Sequence, residues 1–170
     1  MKTKKMIYLS LLVAMGIVVS LFENIIPIPL PIPGAKLGLS NIVVLVTIIV
    51  FGYKEGLIVA VLKSVVLILV TGSLSSFIFS FVGAMLSSIS MILADKYLSK
   101  QLSLIGISLI GAFFHNFGQV LVASFILNNI MIFSYLPFLL ILGLFTGYFV
   151  GIASEMIVSN LKKTIKEGLK

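Results

Sequence analysis

Apolar residues run in long blocks along this chain, and most polar ones gather at a few short breaks between the blocks. A helix that crosses a bilayer needs roughly 20 mostly apolar residues. The blocks predict six spans, over residues 6–26, 37–53, 55–70, 74–94, 102–127 and 133–160. The third is short. The first is longer than the apolar core of a secretion signal, and no small-residue cleavage site follows it, so it counts as a span. The break at residues 27–34 alternates proline with apolar residues, which forbids a helix and favours an extended, stiff segment. Thr71-Gly72-Ser73, Asn128-Asn129 and Phe51-Gly52-Tyr53-Lys54 read as tight turns between antiparallel helices.

Composition agrees with this pattern. Sixty per cent of the 170 residues are apolar and 10% are charged. A soluble domain carries about 25% charged residues, and a disordered chain needs low hydrophobicity. The expected fold is an all-α membrane protein, a bundle of six transmembrane helices forming one domain over residues 1–170, with no room for a soluble domain.

The net charge of +7 is carried by lysine alone. In a soluble protein it would raise the question of nucleic acid. Here Lys2, Lys4, Lys5, Lys54, Lys96, Lys100, Lys162, Lys163, Lys166 and Lys170 all fall on one side of a six-span chain. The positive-inside rule then places both termini in the cytoplasm of a multi-pass cell-membrane protein. Orientation accounts for those ten lysines, and no nucleic-acid partner is expected. Lys36, on the other side, and Lys63, inside span three, are the exceptions.

Candidate chemistry is sparse. The chain has no Cys, one His and five acidic residues, of which one is Asp. Disulfides and thiolate sites are excluded, and a multi-ligand metal site is not expected. There is no Gly-rich nucleotide loop and no nucleophile elbow. The expectation is a non-enzyme with no catalytic residue and no cofactor.

Polar residues inside spans carry the functional signal, because each ionisable one costs about 2.5–3.5 kcal/mol to insert. Lys63 reads as an anion-binding or gating charge, or as a lysine that is paired, carbonyl-capped or snorkelling. His115 and Gln119 are four apart and share a helix face, with Asn116 beside them. This cluster either lines a cavity or joins helices by hydrogen bonds. Glu23 and Asn24 bracket the proline break on one side, and Lys36, Ser40 and Asn41 on the other. They either meet across it or serve as interfacial caps. Gly83, Ser87 and Met91 on span four, and Gly143, Gly147 and Gly151 on span six, read as close-packing faces. Ser10, Ala14 and Val18 repeat the spacing on span one, where a partner protein is an option.

Three stretches carry a resemblance: Pro31-Ile32-Pro33-Gly34-Ala35-Lys36-Leu37-Gly38-Leu39-Ser40-Asn41, Gly111-Ala112-Phe113-Phe114-His115-Asn116-Phe117-Gly118-Gln119, and Tyr135 to Gly143. Together they resemble a small membrane family described as "Gx transporter" or heptaprenyl diphosphate synthase component I. That family is similar in turn to the substrate-binding S components of energy-coupling factor (ECF) transporters. The resemblance implies a six-helix S-component-like bundle that binds a scarce micronutrient from outside and docks on a coupling subunit with two ATPases. It implies that Lys36, Asn41, Lys63, His115, Asn116 and Gln119 line or close the pocket. Ser10 and Ala14 stand where S components carry an Ala-x-x-x-Ala contact to the coupling subunit.

The expected function is therefore a membrane subunit that binds a small anionic micronutrient or metabolite for uptake. The alternative is a non-catalytic accessory subunit in isoprenoid-quinone synthesis or membrane electron transfer. A purely structural scaffold is the third possibility.

Overall fold

The computed structural model describes residues 2–26 and 36–167. The predicted proline segment at 27–34 and the predicted cytoplasmic Lys170 lie outside the described residues. The order of elements is α1 (Lys2–Glu23), α2 (Asn41–Phe51), α3 (Tyr53–Thr71), α4 (Leu74–Leu98), α5 (Leu104–Ile126), a 3-10 helix (Ile130–Tyr135) and α6 (Leu136–Glu167). Among the described residues there is no strand.

Among the described residues, four helical stretches are long and apolar enough to cross a membrane: Thr3–Glu23, Leu74–Leu98, Leu104–Ile126 and Ile130–Glu167. The chain is a membrane-type helical protein. The other two predicted spans differ from that description for physical reasons. Helix α3 carries Lys54, Glu55 and Lys63 within 19 residues. Helix α2 has 11 residues, hence a length of about 16 Å at 1.5 Å per residue, against roughly 30 Å of hydrocarbon.

Span two was expected from residue 37, but the helix begins four residues later. Gly38 has φ +83°, a conformation L side chains avoid, so residues 36–40 run as irregular backbone. Gly52 (φ +112°) ends α2 and starts α3 by itself. At the far end of α3, Gly72 takes the left-handed conformation, and its N–H bonds the Ile68 carbonyl at 2.8 Å. Ser73 and Ser103 cap α4 and α5, each accepting a backbone N–H with its side chain. Asn129 does the same for the 3-10 helix. Residues 24–26 are turn and bend rather than the end of span one.

Helix α2 is the axis of the bundle. Val43, Val44, Leu45, Val46 and Ile48 are buried and pack with Leu12, Val59, Ala60, Ala84, Met91 and Ile107 from the surrounding helices. A helix apolar on every side is what burial on every side requires. A second cluster, built on Phe79, Val120, Ala123, Ile132 and Leu139, joins α4, α5 and α6 near the 3-10 helix.

The glycine rows bring helices into contact with one another. A Cβ on Gly147 would lie 2.9 Å from Ala112 Cβ, and one on Gly151 would lie 2.6 Å from Ile105 Cα. Helix α6 thus seats α5 against its backbone, the close approach that small residues permit. At the lysine-rich end, Lys5 forms an ion pair with Glu55, and the Tyr53 hydroxyl donates to Asp95 Oδ2 at 2.8 Å. These contacts tie α1, α3 and α4 together.

Candidate functional site

The site is built around the irregular backbone of residues 36–40. Its N–H and C=O groups are inside the bundle, and backbone at such a place survives only if something satisfies it. Side chains from three helices do so. Gln119 on α5 accepts from the Lys36 N–H at 2.6 Å and donates to the Lys36 carbonyl at 2.7 Å. Glu23 at the end of α1 accepts from the Leu39 N–H at 2.6 Å. Thr146 on α6 donates to the Leu37 carbonyl at 3.2 Å. The carbonyls of Gly38 and Leu39 receive the Asn41 and Ile42 N–H groups that open α2.

Lys63 is fully buried, 0% exposed, which rules out snorkelling. Its ammonium donates to Ser40 Oγ at 2.9 Å and to Asn41 Oδ1 at 3.3 Å. Gly16 makes room for its stem: a Cβ there would lie 2.7 Å from Val43 and 3.1 Å from Lys63 Cδ. Helix α1 therefore closes over the lysine with bare backbone.

His115 is wedged between two glycines. A Cβ on Gly83 would lie 2.8 Å from its Nδ1, and one on Gly38 would lie 2.8 Å from its Cδ2. Neither ring nitrogen has a side-chain hydrogen-bond partner, and the backbone of Gly83 lies against the ring. Asn116 points elsewhere. Its amide donates to the Leu139 carbonyl at 2.8 Å and lies against Gly143, so it joins α5 to α6.

Of the six residues expected to line a pocket, Lys36, Asn41, Lys63, His115 and Gln119 gather around the 36–40 segment, and Asn116 turns toward α6. A cavity of about 10 Å³ lies among Gly38, Asn41, Ser87, Ser108, Thr146 and neighbouring residues, about the size that holds one water. The polar groups are folded against one another.

Sequence reasoning placed Glu23 near this region, either meeting Lys36, Ser40 and Asn41 across the proline break or serving as an interfacial cap. It missed Thr146 and Gly16, and it read Gly83 only as part of a close-packing face. An acidic residue at the edge of an apolar block was the available signal for Glu23; a threonine among apolar residues gave none. Ser10 and Ala14, the expected partner contacts, are exposed on the outer face of α1 beside Leu11, Met15 and Val18. Among the described residues, no group of His, Cys, Asp and Glu is arranged to hold a metal ion.

A family model described as heptaprenyl diphosphate synthase component I matches residues 12–157. No curated protein and no solved structure matches the chain.

Proposed function

The chain belongs to the heptaprenyl diphosphate synthase component I family, and from that premise we propose a non-catalytic membrane subunit that binds a small anion between its helices. In this reading residues 1–170 form one six-span domain in the cell membrane, with the lysine-rich end and both termini cytoplasmic. Lys36, Asn41, Lys63, His115 and Gln119 contact the ligand. Asn116 holds the α5–α6 edge of the site.

The observation that carries this reading is the buried, irregular segment 36–40, with two buried lysines beside it. Membrane proteins place non-helical backbone at depth where it lines a site, and unwound segments in transporters mark their binding sites. A buried ionisable group in a span is a functional-site signal by default. Here Lys36 leaves its ammonium without a partner, and Lys63 binds two neutral side chains. Two cations held this way favour an anionic ligand. The 36–40 segment covers the site and must shift to admit it.

Uptake would require an ATP-hydrolysing partner, such as an ECF coupling subunit with its ATPases. The exposed face with Ser10 and Ala14 is the place for it. The family description favours a second reading, in which the partner is another component of a heptaprenyl diphosphate synthase and this chain is its membrane accessory. Affinity purification from native membranes in mild detergent, followed by mass spectrometry of proteins and small molecules, decides between them. Recovery of a coupling subunit and ATPases with a bound small anion supports uptake. Recovery of a prenyl synthase component supports the accessory role. A chain that never carries a small molecule overturns the ligand-binding reading.

A further inference from the structure

Glu23 and Lys36 are 1% and 2% exposed; Lys36 Nζ and Glu23 Oε2 lack a hydrogen bond of normal geometry, although the Ser40 side chain lies beside the Glu23 carboxylate. Glu23 and Lys36 do not bond each other, since Lys36 Nζ has no hydrogen-bond partner. Yet each acts electrostatically on the other, and Lys63 also acts on Glu23. Both belong to one unit. Glu23 holds the Leu39 N–H at 2.6 Å, and Lys36 begins the same segment, held at its own backbone by Gln119.

A buried charge left unpartnered is costly. Opposite charges kept only for packing would close into a hydrogen-bonded pair, which is the stronger arrangement. Here the Glu23 side chain is engaged with the Leu39 N–H, and Gln119 holds the backbone of Lys36. What suits them is a group that offers an acceptor to Lys36 and a donor to Glu23.

We propose that Glu23 Oε2 and Lys36 Nζ are opposed ligand contacts, and that the ligand is a monoanion with an N–H or O–H donor beside its acid group. The inference rests on the ligand-binding reading above and narrows it. Charge supports the count. With Glu23, Lys36 and Lys63 all ionised, a single negative charge on the ligand balances the site. A hydroxy acid, or an acid with a neighbouring amide or ring N–H, has this chemistry. A prenyl diphosphate has too much charge and no such donor.

The test compares the wild type with Glu23→Gln, Lys36→Met and the surface variant Leu144→Ala, exposed on α6. Each is purified from native membranes, checked for fold by circular dichroism and analysed for bound small molecules by mass spectrometry. Glu23→Gln keeps an oxygen for the Leu39 N–H, so it removes the charge and spares the backbone. The expected result is a bound monoanion with an exchangeable donor on the wild type and on Leu144→Ala. Its occupancy falls about tenfold or more in Glu23→Gln and in Lys36→Met, as loss of a charge-assisted hydrogen bond demands. A bound molecule without a donor, or full occupancy in folded Glu23→Gln, overturns this inference and leaves the ligand-binding reading standing. An empty wild type overturns both. Should Glu23→Gln fail to fold, the chemical identity of the wild-type ligand decides alone.

Discussion

The side-chain amide of Gln119 pairs with the backbone of Lys36 across 83 residues of sequence, accepting its N–H at 2.6 Å and donating to its carbonyl at 2.7 Å. An amide matched to a peptide group in this way does what a neighbouring strand would do, at a place where the chain has none. It fixes the segment that covers Lys63 and His115.

Breaking that pairing should free the segment. In Gln119→Leu the Lys36 N–H and C=O lose their partners, at about 1–3 kcal/mol for each group left buried and unsatisfied. The expected outcome is a lower thermal midpoint in detergent together with faster labelling of a cysteine at Leu39. The chain has no native Cys, so the label reports that position alone. An unchanged labelling rate would show that Gln119 does not hold the segment.

Lys63→Met separates stability from binding. Replacing a buried charge with an apolar residue of similar volume is often neutral or stabilising. The variant should unfold within about 1–2 kcal/mol of the wild type and carry no bound anion. Retention of the anion at wild-type occupancy would remove Lys63 from the site. Lys63→Glu should unfold far more easily, because Ser40 Oγ and Asn41 Oδ1 would then face a carboxylate.

Gly38 and His115 are coupled by shape. Gly38→Ala places a Cβ 2.8 Å from His115 Cδ2 at a φ of +83°, combining backbone strain of about 1–2 kcal/mol with a clash. Adding His115→Ala removes the clash and keeps the strain. A double-mutant cycle on thermal stability should give a coupling of about 0.5–3 kcal/mol. Strict additivity would mean that the segment moves aside at no cost.

Orientation is testable with single cysteines. Lys100 lies at the lysine-rich end, and Leu127 lies at the opposite end of α5, where it is exposed. In intact cells a membrane-impermeant thiol reagent should label Leu127→Cys and spare Lys100→Cys until the membrane is opened. The reverse pattern would invert the topology.

The glycines on α6 should resist enlargement. Gly151→Leu drives a side chain into Ile105, where even a Cβ would lie 2.6 Å from the Cα. Overpacking of this kind costs about 1–3 kcal/mol, read as a lower thermal midpoint. The exposed Leu144, also on α6, should accept alanine with little change.

Block length, lysine position and glycine spacing are local properties, and they made much of this protein legible in advance. They predicted an all-helical membrane chain, approximate helix bounds, the turns at Gly52, Gly72 and Asn128, and close-packing rows on α4 and α6. They also singled out Lys63, His115 and Gln119 as unusual. Hydropathy could not see that residues 37–40 are not helical, because Leu37 and Leu39 score as well in an irregular segment as in a helix. Helix spacing put Asn116 beside its neighbours and said nothing of the Leu139 carbonyl that captures it. Only the tertiary structure decided that Lys63 is sealed in, that Gln119 serves the backbone of Lys36, and that Glu23 and Lys36 are both buried without bonding each other. Those facts depend on how helices far apart in sequence meet. A side chain's partner at membrane depth is chosen by which unsatisfied groups the packing brings within hydrogen-bond reach, and that choice has no period along the chain.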